Sequence, residues 1–257
     1  MKLQQISESC FAVLNEKGRL CDSNSGFINR GGGVLVDTQS DLSHARRMAE
    51  LFGSIWQGVP KRVVNTNESG DHVWGNQVFS GAEIIAHRTV PDRMMQAATP
   101  REFQALLGGF DGLLSRLMLK ATRPGVLAIG RQLGQDYDFD GIEPTLPATL
   151  FDERFVLDLE GLEVHMIHVG PCHRVGDTIV HVPAEGVVFA GDVVDQLLNL
   201  FGSHLLGSNL NFDGEVHKLI SKLHDALIEG GGEHEILAFL IRRQAAENKA
   251  EVGNKSH

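Results

Sequence analysis

Apolar and polar residues in the first third of the chain follow the spacing of strands and of one helix. Short apolar runs bounded by turn residues predict strands, at residues 10–14, 26–29, 34–36, 62–65 and 82–86. From Leu42 to Phe52 the apolar residues recur at helical spacing, with Ser40 or Asp41 placed to cap the helix and Gly53 placed to end it. The polar loop 66–72 follows the fourth strand, and open sheets place their chemistry where a strand runs into such a loop.

The middle of the chain separates this pattern from a second set of strands. Residues 90–120 predict helices rich in Met and Leu, and the Gly- and Pro-containing stretch 121–150 shows little periodicity. We therefore predict that 90–150 is an insertion or lid. The strands predicted after it are residues 155–159, 162–168, 178–182 and 187–190. An amphipathic helix is predicted from 212 to 228, where a run of three glycines follows.

Strands followed by a helix thus occur twice in the same order. Two such halves, stacked as helix, sheet, sheet and helix, account for the pattern. The sequence predicts a single α/β domain over residues 1–244, an αββα sandwich of two mixed β-sheets flanked by helices. The tail, 245–257, is predicted to be disordered.

Composition narrows the class of protein further. Hydrophobic residues make up 42% of the 257 residues and charged residues 22%, which is typical of a compact globular domain. A net charge of −10 argues against nucleic acid as a partner, because that partner requires clustered Lys and Arg. The sequence holds no apolar run of membrane-spanning length and no apolar stretch at its start, so we predict a cytoplasmic protein with no membrane contact. The three cysteines are too scattered to predict a disulfide framework.

Three segments hold the residues with metal-binding chemistry. Residues 63–76 read VVNTNESGDHVWGN, residues 170–177 read GPCHRVGD, and residues 187–192 read VVFAGD. With Asp37 after the strand 34–36, their order resembles the metallo-β-lactamase superfamily. There a strand ends in Asn-Thr, His-x-His-x-Asp-His follows, and Gly-x-x-His and Gly-Asp come later. The resemblance runs from about residue 25 to about 195 and implies the same αββα fold.

The resemblance also implies the metal ligands. In the family one metal takes the two leading histidines and the Gly-x-x-His histidine, while a second takes the Asp-His pair and a last histidine. The Gly-Asp carboxylate joins the two metals. Here Asn67 and Ser69 replace the leading histidines and are weak ligands for zinc. We therefore expect one divalent ion, zinc by default with iron or manganese as alternatives, and its predicted ligands are Asp71, His72, Asp192, His173 and His234.

His234 is the nearest candidate for the family's last histidine, and His204 is the second. A structural alternative is that Asp71 and His72 belong to a polar loop that caps a helix. The other histidines are predicted to be structural. We expect His165 and His168 to be hydrogen-bonded within a sheet and expect surface positions for His44, His87, His217 and His224.

The implied activity is that of a metal-dependent hydrolase in which metal-bound hydroxide attacks an ester, lactone, thioester or amide of a small molecule. Asp71, Asn67, Ser69 and Glu68 are the predicted catalytic residues. Asn67 or Ser69 would stabilise the oxyanion, and Glu68 would act as a ligand or general base. One alternative is a non-hydrolytic enzyme, a cyclase, dehydratase or decarboxylase, with His173 and Asp71 as acid and base. Another is an inactive binding protein. A homo-oligomer could form through an edge strand or through residues 236–241.

Overall fold

The structure of the protein, a computed structural model, describes residues 1–16, 19, 21–96, 100 and 133–193. Its strands are β1 (Lys2–Gln5), β2 (Cys10–Leu14), β3 (Ser25–Ile28), β4 (Val34–Val36), β5 (Arg62–Val64), β6 (Glu83–His87), β7 (Thr149–Phe151), β8 (Arg154–Asp158), β9 (Glu163–His168), β10 (Thr178–Val182) and β11 (Val187–Phe189). Its α-helices are α1 (Leu42–Phe52), α2 (Gly70–Val73) and α3 (Val90–Gln96). Two 3-10 helices, Trp74–Phe79 and Pro183–Glu185, complete the described elements.

The strands form two sheets. The larger sheet has seven strands in the order β1 to β7, antiparallel as far as β4 and parallel from β4 to β7. The smaller sheet has four antiparallel strands in the order β11-β10-β9-β8. Because β4 and β5 are parallel, the loops that follow them emerge at the same edge of the larger sheet.

Alternation along the strands of the larger sheet directs its side chains to two separate cores. Ile28, Val64 and Ile85 point toward the smaller sheet and pack with Val164 and Met166 of β9. The neighbouring residues point to the opposite face and pack against α1, and they are Phe27, Leu35, Val63 and Ile84. The two sheets therefore pack face to face, and α1 covers the outer face of the larger one.

Helix α1 confirms the helix predicted from residue spacing. The Asp41 side chain accepts a hydrogen bond from the His44 amide at 2.7 Å, and the helix ends at Gly53. Its buried residues are Leu42, Ala45, Met48 and Phe52, which repeat at helical intervals and form one face. Burial of that face against the sheet positions the loop 37–41, which precedes the helix.

Several elements differ from the sequence prediction. Strands β1 and β7 were not predicted, and β7 lies inside the predicted lid, 90–150, although it pairs with β6. The predicted polar loop 66–72 turns into helix α2 at Gly70. The predicted helix 212–228, residues 236–241, His204, His217, His224, His234 and the tail 245–257 lie outside the described residues. No helix formed by the described residues is long and apolar enough to cross a membrane.

Candidate metal centre

Three loops from the two sheets meet at the edge where β4 and β5 end. Asp37 follows β4, Thr66 lies just after β5, and Asp192 follows β11 of the smaller sheet. The loops approach closely, since a Cβ added to Gly191 would lie 2.6 Å from the Thr66 hydroxyl oxygen. Gly191 also has a φ of 52°, in the left-handed region that favours glycine. The glycine of this Gly-Asp pair therefore lets the two sheets meet at the site.

Asp71, His72 and Asp192 form a cluster at this meeting point. One possible ligand atom from each of the three lies within 4.8 Å of the other two. His72 Nε2 is 3.1 Å from Asp192 Oδ1 and 3.6 Å from Asp71 Oδ2. Helix α2 carries Asp71 and His72, so the sequence motif that predicted these ligands is carried by a helix rather than by a loop.

A second carboxylate holds the other side of the His72 ring. Asp37 Oδ2 lies 2.8 Å from His72 Nδ1. The Thr66 amide donates to Asp37 Oδ1 at 2.8 Å, and the Thr66 hydroxyl donates to Asp37 Oδ2 at 2.7 Å. Asp37 is thereby fixed as the acceptor of the Nδ1 proton, so that Nε2 faces the cluster and can bind a cation in place of its own proton. The sequence analysis had placed Asp37 in the motif order without giving it this contact.

Neighbouring charges and burial have opposite effects on the pKa values of the residues in the cluster. Burial by itself would lower the pKa of the His72 imidazole, but the carboxylates of Asp37, Asp71 and Asp192 outweigh it and raise that pKa well above its ordinary value. Burial would raise the pKa of the Asp192 carboxyl, yet His72 lowers it to about 2. Burial raises the pKa of Asp71, against the opposing charge of His72. Several carboxylates therefore surround a single imidazole, and this excess of negative charge favours the binding of a cation.

His173 approaches the cluster from the loop between β9 and β10. Its Nε2 lies 3.7 Å from Asp192 Oδ2. Asp177 shapes this loop, because its Oδ2 accepts hydrogen bonds from the amides of Cys172, His173 and Arg174 at 2.6 to 3.1 Å. The structure therefore brings together four of the five predicted metal ligands, and the fifth, His234, lies outside the described residues.

Comparison with known families agrees with this arrangement. The sequence model described as "Metallo-beta-lactamase superfamily" matches residues 18–227. The chain belongs to the metallo-β-lactamase superfamily. Membership confirms the predicted αββα sandwich. A search of curated proteins gave no match.

Solved structures of this superfamily resemble the chain in fold. The sec-alkylsulfatase Pisa1 from Pseudomonas sp. is 14% identical with a TM-score of 0.51, and the match covers 72% of this chain and 30% of the sulfatase. A metallo-β-lactamase from Pontibacter korlensis is 12% identical with a TM-score of 0.48, covering 74% of this chain and 70% of its own. FIM-1 from Pseudomonas aeruginosa, solved in a mono-zinc form, is 16% identical with a TM-score of 0.46, covering 73% and 67%. This chain therefore spans less than a third of the sulfatase.

Asn67, Ser69 and Glu68, the other predicted catalytic residues, make contacts around the cluster. Asn67 donates through Nδ2 to Asp192 Oδ2 at 3.0 Å and accepts from the Ser69 amide at 2.7 Å. Ser69 Oγ accepts from Arg174 Nε at 2.8 Å. Glu68 is buried, and its Oε2 accepts from the Gly176 amide at 3.1 Å. Asn67 therefore contacts the cluster directly, whereas Glu68 joins the two loops beside it.

A cavity of about 440 Å³ opens beside Asp71. Ser69 and Arg174 line it together with Trp74, Tyr137 and Phe139. Tyr137 and Phe139 were not predicted at the site, because they lie in the stretch without periodicity. The signal that could have found them is the presence of two aromatic residues in a segment otherwise rich in Gly, Pro and Asp.

Four other histidines make contacts away from the cluster. The prediction for His165 and His168 is confirmed, since His165 lies within hydrogen-bonding distance of Arg154 and Glu163, and His168 Nε2 donates to the Val175 carbonyl at 2.9 Å. The prediction that His87 is a surface residue is wrong. It is buried and its ring stacks on that of His168, with centroids 3.7 Å apart.

His44, also predicted at the surface, is half-buried instead. Its Nδ1 lies 2.8 Å from Asp41 Oδ1, at the start of α1. The His44 ring thus contacts the residue that caps the helix, and the spacing of residues did not indicate this contact.

Proposed function

We propose that the protein is a metal-dependent hydrolase that holds one divalent ion, zinc by default, at Asp71, His72 and Asp192. Its substrate is an ester, lactone, thioester or amide of a small molecule. The observation that supports this proposal most strongly is the convergence of three ligand atoms within 4.8 Å, with the orientation of His72 set by Asp37.

The donor set fits such an ion. Imidazole and carboxylate are ligands that zinc, iron and manganese all accept. Asp71 and Asp192 both face the same nitrogen of a buried imidazole, and two carboxylates that are largely removed from water require a cation or several donors to be stable. A hydrogen-bonded carboxylate behind a histidine, as Asp37 is behind His72, is the usual support of a metal-binding histidine.

When bound, a divalent ion supplies a Lewis acid and lowers the pKa of coordinated water. The chain's own residues hold and orient the substrate around it. Ser69 is the better of the two predicted oxyanion donors, because its oxygen accepts from Arg174 while its own proton remains available to donate. Asn67 has its amide group engaged by Asp192, so we assign it the role of positioning that carboxylate. Glu68 as ligand or general base stays a prediction.

Metal content tests the proposal directly. Protein purified without chelator should contain about one equivalent of metal per chain by elemental mass spectrometry. Asp71→Asn and Asp192→Asn should each lose most of it, because each removes a charged ligand. Asp158→Asn, at an exposed carboxylate in the hairpin between β8 and β9, is the matched control and should retain the metal.

Turnover is then measured on a panel of esters, lactones, thioesters and amides. We expect hydrolysis of at least one class, loss of it after chelation, and recovery on adding zinc. A wild-type protein without metal would contradict the proposal, and so would turnover that persists in chelator.

A further inference from the structure

The cavity beside Asp71 has a mostly apolar wall. Among the described residues, that wall is formed by Val73, Trp74, Met94, Leu133, Tyr137 and Phe139. The volume of about 440 Å³ lies in the range of pockets that enclose small molecules. Asp71 lines the same cavity, so a molecule bound there lies next to the metal cluster.

Hydrogen bonds and ring contacts hold the wall in place. The rings of Trp74 and Phe139 meet edge to face with centroids 5.3 Å apart. The Tyr137 hydroxyl donates to Asp22 Oδ1 at 2.7 Å, and the Asp138 amide donates to Asp41 Oδ2 at 3.0 Å. Because these side chains are already ordered, little conformational entropy is lost when a rigid apolar group binds against them.

Arg174 gives the cavity a positive charge at its rim. It is the single cation among the described lining residues. Its side chain is exposed and donates through Nε to Ser69 Oγ, and no other described residue accepts a hydrogen bond from the guanidinium group. Guanidinium groups bind carboxylates and other oxyanions through paired N–H donors.

The two acidic residues of the cavity have other partners, so they leave the positive charge of Arg174 available to a ligand. Asp71 belongs to the metal cluster, and Glu68 accepts the Gly176 amide through Oε2. A ligand that reaches both the apolar wall and Arg174 therefore needs an apolar body and one negative charge.

We propose that the cavity selects small monoanions with a planar or otherwise bulky apolar body, whose negative group contacts Arg174 and whose body lies against Trp74 and Phe139. That such a ligand is also hydrolysed rests on the proposed function, whereas its binding does not. Arg174 is then a specificity-determining residue.

Calorimetric titration of the metal-loaded full chain tests this with three probes. 2-Naphthoate carries the anion and a two-ring body, 2-naphthamide is its neutral counterpart, and benzoate has the anion with a smaller body. We expect 2-naphthoate to bind at least ten times more tightly than either of the others, because it alone uses both features.

Variants separate the two contributions. Arg174→Gln should reduce the preference for 2-naphthoate over 2-naphthamide to about one, while Arg47→Gln, at an exposed arginine paired with Glu50 on α1, should leave it unchanged. Trp74→Leu should weaken both naphthyl probes more than benzoate. Circular dichroism checks that each variant is folded.

The outcomes distinguish this proposal from the proposed function. A preference that survives in Arg174→Gln would place the anion elsewhere, for instance on the metal, and would overturn the proposal. So would equal binding of the charged and neutral probes, or no binding of either naphthyl probe. Repeating the titration after chelation should leave the Arg174-dependent preference in place, so a protein that fails to bind metal or to hydrolyse a substrate can still confirm it.

Discussion

Asp37 Oδ2 lies 2.8 Å from His72 Nδ1, and both side chains are almost completely buried. The two residues belong to different loops, and Asp37 has a φ of 62°, a conformation that Asp and Asn tolerate better than most other side chains. The Thr66 amide and hydroxyl hold the same carboxylate from the loop after β5. The orientation of the one imidazole in the cluster therefore depends on a residue that does not belong to the cluster.

Replacing this supporting carboxylate should weaken metal binding. Asp37→Asn keeps the shape of the side chain but removes its negative charge and one of its two acceptor oxygens, so the Thr66 amide and His72 Nδ1 can no longer both donate to it. We expect metal affinity to fall by about 10- to 100-fold, the usual effect of removing such a support. Competition with a chromophoric chelator measures the affinity. Asp158→Asn is the control, and an unchanged affinity in Asp37→Asn would show that the contact is dispensable.

Close packing behind the cluster should make Gly75 intolerant of any side chain. A Cβ at this position would lie 1.8 Å from the Thr38 carbonyl oxygen and 2.7 Å from the Ala45 side chain. We expect Gly75→Ala to lower the free energy of unfolding by about 3 kcal/mol, measured by chemical denaturation. Gly81→Ala, where the nearest atom is a Val59 methyl group at 4.0 Å, should change it by less than about 0.5 kcal/mol. Equal stability of the two variants would contradict the packing argument.

Elements with a complete local pattern could be predicted from the sequence. Helix α1 has both helical spacing and a cap, and its bounds agree with the prediction. Strand β7 was not predicted, because it lies in the Gly- and Pro-containing stretch 121–150, which shows little periodicity, and only its pairing with β6 marks it as a strand. The same holds for His87, whose burial comes from His168, far away in sequence.

Some features of the site could likewise be predicted from short motifs, whereas others arise only in the folded structure. Asp71, His72 and Asp192 each lie in a short motif, and the structure brings these three together. The contacts of Asp192 with Asn67, and of Arg174 with Ser69, arise only when loops from both sheets meet. The aromatic wall of the cavity depends on a segment without periodicity, so no local pattern indicated it.

The stacked pair of histidines should make stability depend on pH. Burial lowers the pKa of His87, and the charge of His168 lowers it further, against Asp152 and Glu153. Between this lowered pKa and the ordinary value of 6.5, the unfolded chain binds more protons at His87 than the folded protein does. Stability from this group is therefore complete above about pH 6.5 and is lost as the pH falls below it.

The variant His87→Gln removes the titrating group and should flatten this dependence. The free energy of unfolding, measured in urea at about pH 8 and about pH 5.5, should decrease less in His87→Gln than in the wild type. The comparison between the two pH values within each protein corrects for any loss of packing in the variant. The same decrease in both proteins would assign the pH dependence to other groups.

Histidines introduced at two positions should give the site a second metal. The resemblance in sequence placed Asn67 and Ser69 where the superfamily has its two leading histidines, and neither an amide nor a hydroxyl binds zinc as well as imidazole does. His173 is already beside Asp192, with its Nε2 3.7 Å from that carboxylate. In the double variant Asn67→His with Ser69→His, we expect elemental mass spectrometry to find about two equivalents of zinc per chain in place of one. Adding His173→Ala to the double variant should return the zinc content to one equivalent, because the substitution removes the third imidazole. If the double variant still holds only one equivalent, something other than Asn67 and Ser69 prevents the second site.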